Sequence, residues 1–323
     1  MQTPASDRAA QSRMTSLSVV MPVYDAERYL AIAVASLLRQ TFADFELLVF
    51  DDGSRDRSAA IVEGFRDPRI RLFRRPHAGY AVWLREGVQL ARGEFVARMD
   101  ADDVARPQRF EKQLAHLRRH PDCVALGSEV LLIDPDGRPI GERGVPLAHE
   151  AIEAALLEGR GGALVHPSAI FRREALLAIG NYRPECEPAE DLDLYLRLAE
   201  KGCLANLPDT LLEHRLHVGK VSAERAGAQR RQMLVILRDA RLRRGLRVEG
   251  DWLPPVAESL PAVDYWHYWA RSAIRGRRLA TARRYAFAVL IRQPFAVRSW
   301  KLLASALLGE RIQRLRRLRD RLR

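Results

Sequence analysis

The chain has 323 residues, 47% of them hydrophobic and 29% charged, with a net charge of +12. That length exceeds the usual single domain, and that composition excludes a disordered polymer. No apolar run approaches the roughly 18 residues a membrane span needs. Residues 1–16 (MQTPASDRAAQSRMTS) also lack the apolar centre of a signal peptide, so a cytoplasmic protein with a flexible N-terminus is expected.

In chain order, residues 17–23 (LSVVMPV) form an apolar, β-branched run that predicts a strand, and Leu30, Val34, Leu37 and Leu38 then recur at helical spacing. Residues 45–50 (FELLVF) predict a second strand, followed by a helix carrying Ile61, Val62 and Phe65. A third strand at 69–73, a helix over 80–90, a fourth strand at 95–99 and a helix opened by Pro107 continue the alternation. Residues 123–140 predict a hairpin turning at Pro135–Gly137, and 189–201 an amphipathic helix stopped by Gly202. Beyond residue 224 the chain reads as helical and arginine-rich, with a loop at Pro254 and Pro255 and aromatics at Tyr265, Trp266, Tyr268 and Trp269. Residues 224–323 hold 24 Lys+Arg against 8 Asp+Glu, so the first 223 residues are net acidic. The three cysteines, Cys123, Cys186 and Cys203, show neither metal-type pairing nor a disulfide framework and are expected to be reduced thiols.

Strands alternating with helices predict an α/β fold with a mainly parallel sheet flanked by helices, whose ligands sit beyond the carboxyl ends of the strands. Polar clusters fall at three such ends: Pro22 to Asp25, Asp51 to Ser54 and Asp100 to Asp103. In "RMDADDVARP" three aspartates stand within four positions, where each raises the cost of ionising the others unless a cation or strong donors compensate. Asp100-Ala101-Asp102 suits a hard Mg²⁺ or Mn²⁺ ion holding a diphosphate, yet read alone it serves equally as a solvated loop or helix cap.

The other clusters have plain readings too. "DDGSRD" is ordinary turn chemistry, although an aspartate after an early parallel strand is also where nucleotide-binding sheets place a carboxylate. In "EPAEDLDLYLRL", Glu190 and Asp191 suit a helix start, and the same field keeps a general base ionised. "HRLHVGKVS" gathers His214, Arg215, His217 and Lys220, either as surface cations or as groups facing a diphosphate or metal. His166 reads as a satisfied core histidine.

Six segments carry a resemblance: "SVVMPVYDAERYL", "FELLVFDDGSRDRS", "ARGEFVARMDADDVARPQRFEKQ", "HPSAIFRREAL", "GNYRPECEPAEDLDLYLRLAEKG" and "LLEHRLHVGKVS". In order and spacing they resemble the family 2 glycosyltransferases, inverting enzymes of the GT-A (Rossmann-like) fold, of the bacterial surface-glycan type. The resemblance spans about residues 16–222 and implies a catalytic domain over 17–223, with 224–323 as a basic, mostly helical extension. It implies that Pro22, Val23 and Tyr24 border the nucleotide, that Asp52 bonds a uracil or thymine ring, and that Asp51 lies beside it. Asp102 would be the direct metal ligand, with His217 a further candidate and Asp100 nearer the ribose or sugar. Asp191 matches the catalytic base, Glu190 its acidic neighbour, and Arg215 the basic loop over the diphosphate.

Two positions depart from the family pattern. Asp25 stands where asparagine is usual, and Arg85 replaces a neutral amide near the nucleotide, so it either contacts the phosphates or turns outward. The expected donor is UDP- or dTDP-linked, the cofactor Mn²⁺ or Mg²⁺, and the acceptor a glycan or lipid-linked hydroxyl. The basic tail is expected either to rest peripherally on an anionic membrane or to pack on the catalytic domain. A catalytically silent nucleotide-sugar binder and a nucleic-acid binder acting through the tail are the rival readings; no nucleic-acid module supports the latter.

Overall fold

The computed structural model describes residues 15–217, 226–247 and 262–309. The N-terminal 14 residues, Lys220, the Pro254–Pro255 loop and the final arginine-rich segment lie outside the described residues.

The first half alternates as its hydrophobic pattern requires: β1 (Leu17–Val23), α1 (Glu27–Leu38), β2 (Phe45–Asp51), α2 (Ser58–Glu63), β3 (Ile70–Arg74), α3 (Tyr80–Leu90) and β4 (Phe95–Arg98). Then follow β5 (Val104–Ala105), α4 (Arg109–Arg119), the hairpin β6 (Cys123–Ile133) and β7 (Pro139–Arg143), α5 (His149–Leu157), β8 (Ile170–Arg172), α6 (Arg173–Ala178), α7 (Glu190–Leu198) and β9 (Cys203–Arg215). Four helices close the described chain: α8 (Ala226–Arg243), α9 (Ala262–Arg275), α10 (Leu279–Arg292) and α11 (Val297–Leu308).

One sheet runs β3-β2-β1-β4-β8-β6-β9-β5, with β7 on β6. The strands β3, β2, β1 and β4 are mutually parallel, as expected from the connecting helices. Parallel pairing recurs between β6 and β9, from Cys123 opposite Cys203 to Ile133 opposite Arg215. β8 pairs antiparallel with β4 and β6, β7 with β6, and β5 with β9, which makes the sheet mixed. For β6 and β7 the physical reason is connection length: a short hairpin turn contains no crossover helix to bring the chain back in the same direction.

The period-two alternation of buried strands divides the core. Leu17, Val19, Met21 and Val23 face α1, α4 and the C-terminal helices, whereas Val20, Leu48 and Phe50 face α3, α5, α7 and α8. Gly93 marks a close approach of two backbones, since a Cβ there would lie 2.7 Å from the Leu17 carbonyl carbon.

The basic C-terminal helices are part of this packing. Trp269, Ala282, Tyr285, Val289 and Leu302 join the core on the α1 face. The Tyr285 hydroxyl donates to Asp134 Oδ2 at 2.9 Å, and Arg284 bonds Asp136 at 2.8 Å, both in the β6–β7 turn. On the other face, Arg244, just past α8, bonds Glu153, Glu200 and the Leu196 carbonyl. Several arginines of the tail are therefore consumed by intramolecular contacts.

Candidate active site

The carboxyl ends of β1, β2 and β4 open onto a cleft of about 1480 Å³, whose far wall is α7 and the C-terminal helices. At one end stand Pro22, Val23 and Tyr24. The Tyr24 ring is 43% exposed and lies 4.6 Å, centroid to centroid, from His77, forming an aromatic rim. Asp25 has a positive φ of 44° and accepts a bond from Arg55 N–H at 2.7 Å. Asparagine and aspartate share this left-handed tolerance, so the departure at Asp25 leaves the backbone conformation within reach.

Asp52 is buried beneath that rim. Its Oδ1 accepts from Ala78 N–H at 2.7 Å and from the Trp83 indole N–H, while Oδ2 faces Gly79 N–H at 3.2 Å and His77 Nδ1 at 3.0 Å. A single segment, 77–83, thus fixes the carboxylate's orientation. Gly79 takes φ 97°, and a Cβ there would meet Glu187 Oε2 at 2.8 Å, so this close approach favours glycine. Asp51 is not beside the ligand space; it is buried and accepts Ser54 N–H at 3.0 Å, which makes it a turn residue. Arg85 likewise does not line the cleft. It is exposed on α3, where the helix period turns its side chain away from the face carrying Trp83 and Leu84.

The three crowded aspartates have separate partners. Asp100 pairs with Arg98, Asp102 accepts from His217 Nε2 at 2.9 Å, and Asp103 accepts from Arg215 N–H at 2.8 Å while facing His214 Nδ1 at 3.0 Å. The protein itself therefore supplies one fixed positive charge, Arg98, together with hydrogen-bond donors to the other two carboxylates. Asp103, fully buried, ties β9 to the β4–β5 loop and is not a helix cap. Arg215 is corrected by the same geometry. It ends β9, is 3% exposed, and spends its guanidinium on the carbonyls of Asp102, Asp134 and Pro135 beneath the loop. A side chain so enclosed supports the aspartate loop from below; it does not close over the cleft. One oxygen each of Asp100, Asp102 and Asp103 lies within 4.8 Å of the others.

Glu190 and Asp191 begin α7, close to the helix's positive end. Glu190 is 3% exposed and accepts the Tyr80 hydroxyl at 2.8 Å, with its other oxygen 3.7 Å from His166 Nδ1. Asp191 is partly open to the cleft and bonds Leu192 N–H at 2.7 Å through one oxygen. Burial pushes both carboxyls above the usual range, and the Asp191 charge raises Glu190 further.

Arg98, His166 and Tyr80 were not singled out as site residues from the sequence. Arg98 is buried between the two acidic groups, paired with Asp100 and electrostatically coupled to Glu190 and Asp191. His166 does satisfy the core-histidine reading, with its Nε2 2.8 Å from the Tyr182 hydroxyl, and burial holds its pKa low; it also lines the cleft. A charged residue inside an otherwise apolar strand end, as in "FVARMD", was the signal available for Arg98.

The model of the family described as Glycosyl transferase family 2 matches residues 18–180. The chain is 31% identical over 192 residues to the putative glycosyltransferase EpsE of Bacillus subtilis, covering 58% of this chain and 67% of that protein. It is 30% identical over 215 residues to the amylovoran biosynthesis glycosyltransferase AmsE of Erwinia amylovora, covering 64% and 79%. Among solved structures, S. aureus TarS 1–349 in complex with UDP-GlcNAc is similar with a TM-score of 0.55 at 19% identity, over 90% of this chain and 79% of that one. At that identity the likeness speaks for the fold alone. The family match covers half the chain, and the strand ends it spans are the ones that build the cleft: this chain belongs to glycosyl transferase family 2 and is a glycosyltransferase.

Proposed function

We propose that the protein moves a sugar from a UDP- or dTDP-linked donor to a hydroxyl of a glycan or lipid-linked acceptor, with inversion, in polysaccharide biosynthesis. The observation that carries this reading is the alignment along one cleft of Asp52 under an aromatic rim, the Asp100–Asp102–His217 group, and Asp191. The likeness to AmsE, an amylovoran biosynthesis glycosyltransferase, supports polysaccharide biosynthesis, and the UDP-GlcNAc bound to TarS supports a nucleotide-sugar donor.

The aspartate loop fits a hard divalent cation such as Mn²⁺ or Mg²⁺: its donors are carboxylate oxygens, and they converge within 4.8 Å. Asp103 is committed to His214 and Arg215, so Asp102, with Asp100 and His217, would hold the ion. When bound, it supplies positive charge against the diphosphate leaving group. Tyr24 and His77 offer faces for the base, and Asp52 an oriented acceptor for its ring N–H. Asp191 accepts the proton of the attacking hydroxyl, while Glu190, held by Tyr80, stays behind it.

The deprotonated form of Asp191 is the competent one, and its folded pKa is raised. Activity is therefore lost as pH falls through that raised value, and the acid limb of kcat/KM should lie above the range of a free aspartate, about 3.9. A limb at or below that value would contradict the assignment.

The donor is tested by thermal unfolding with UDP, dTDP, GDP and ADP, each with and without Mn²⁺, followed by sugar release from the matching donor. A metal-dependent shift with UDP or dTDP and turnover is expected. Shift without turnover would identify a silent binder, and no shift with any nucleotide would overturn the reading.

The surface of α10 and α11 supports peripheral contact with an anionic membrane. Phe287, Ile291, Phe295, Val297 and Trp300 are all more than half exposed, Phe295 at 98%, and Arg292, Arg298 and Lys301 are exposed among them. In a sedimentation assay the protein should bind phosphatidylglycerol vesicles and not phosphatidylcholine ones. Phe295→Ser with Trp300→Ser should weaken that binding by about tenfold or more. Equal binding to both lipids, or no loss in the double variant, would remove this surface from the account.

A further inference from the structure

A second cavity of about 460 Å³ meets the main cleft at Asp191. The two share Arg143, Gly162, Asp191 and Gln229, and the smaller one continues past Arg160 and Met233 without reaching the aspartate loop. Asp191 thus stands at the junction, with the Asp100–Asp102 group in one space only. This cavity therefore offers an incoming hydroxyl a route to Asp191 from the side away from the aspartate loop.

Arg143 ends β7 and is exposed. Its guanidinium lies over Gly162, where a Cβ would collide with Nη2. Among the described residues it forms no hydrogen bond and no ion pair within 4 Å, although its charge favours the ionised form of nearby Asp191 and the neighbouring Arg160 is paired with Glu158. Most other arginines around the cleft, Arg28, Arg98, Arg215 and Arg284, are already matched with carboxylates or carbonyls. An arginine left open beside a reacting group presents a planar fork of donors that suits phosphate or carboxylate.

We propose that Arg143 forms an anion-binding acceptor subsite, so that the acceptor carries a phosphate or carboxylate close to the hydroxyl that is glycosylated. This rests on the glycosyltransfer reading of the cleft and deepens it by naming the acceptor's chemistry. The two sources of such an anion are a phosphate, as in a lipid diphosphate or phosphodiester glycan, and a uronate in an acidic glycan.

The chain has five methionines, and Met233 lines the cavity, so [methyl-¹³C]methionine reports on it locally. Methyl phosphate, methyl glucuronide and neutral methyl glucoside are titrated into the full chain with and without UDP and Mg²⁺. At least one anion should shift the Met233 methyl resonance, and R143Q should weaken that anion by about ten- to a hundredfold, with R143K in between. Preference for methyl phosphate assigns a phosphate-bearing acceptor, and preference for the glucuronide an acidic glycan. No shift with either anion, equal affinity for the glucoside, or undiminished affinity in R143Q overturns the subsite. Whether UDP with Mg²⁺ raises the melting temperature of the same sample is read separately, and failure there counts against the donor reading instead.

Discussion

Asp191→Asn should lower kcat by about a hundred- to ten-thousandfold, the range typical of a general base, while UDP still stabilises the fold. The substitution keeps the side chain's shape, and an amide oxygen can still accept the Leu192 N–H that the carboxylate accepts at 2.7 Å. Loss of activity would therefore report lost proton acceptance and not a disturbed helix start. Glu190→Gln is the informative comparison. Glu190 is buried, bonded to the Tyr80 hydroxyl and close to His166, so its contribution is to hold the floor of the site. A Glu190→Gln variant that lost as much as Asp191→Asn, beside an Asp191→Asn variant with nearly normal kcat, would exchange the two roles. Steady-state rates on a UDP- or dTDP-sugar, with melting temperatures for each variant, decide it.

Asp102→Ala should abolish the divalent-dependent part of nucleotide stabilisation. A nucleotide at a hundred times its dissociation constant stabilises the native protein by about 2.7 kcal/mol, and the variant should lose most of that increment when Mn²⁺ is present. The prediction separates Asp102 from Asp103, although the two are adjacent. Asp102 is partly open to the cleft and bonded to His217, whereas Asp103 is wholly buried against His214 and the Arg215 backbone. Asp102→Ala should therefore leave the unliganded melting temperature close to wild type. If the variant kept the full Mn²⁺-dependent shift with UDP, the aspartate loop would not be the cation's seat.

The same loop shows how far linear spacing carries. "RMDADD" places three carboxylates and an arginine at a strand end, which is enough to mark a site of charge but not to assign it. In space one aspartate faces Arg98, one His217 and one the end of β9, and only the first two line the cleft. Sequence separations of more than a hundred residues lie between Asp102 or Asp103 and their partners on the 214–217 segment. The resemblance implied Arg215 over the diphosphate, yet the strand continues through it and turns it inward.

Sequence alone determined the parallel half of the sheet and the three clusters at its strand ends. Apolar runs at period two and helical faces at period 3.6 are local properties, and strand-helix alternation leaves parallel pairing as the economical solution. It also determined the family, through six ordered motifs. Tertiary structure decided what pairing across distance decides: the mixed half of the sheet, the long β9 strand, the outward turn of Arg85, the burial of Asp51 and Arg215, and the docking of α9–α11 on the α1 face. Burial and the choice of charge partner depend on which segments meet, and hydrogen-bond satisfaction between residues a hundred positions apart leaves no periodic trace in the chain.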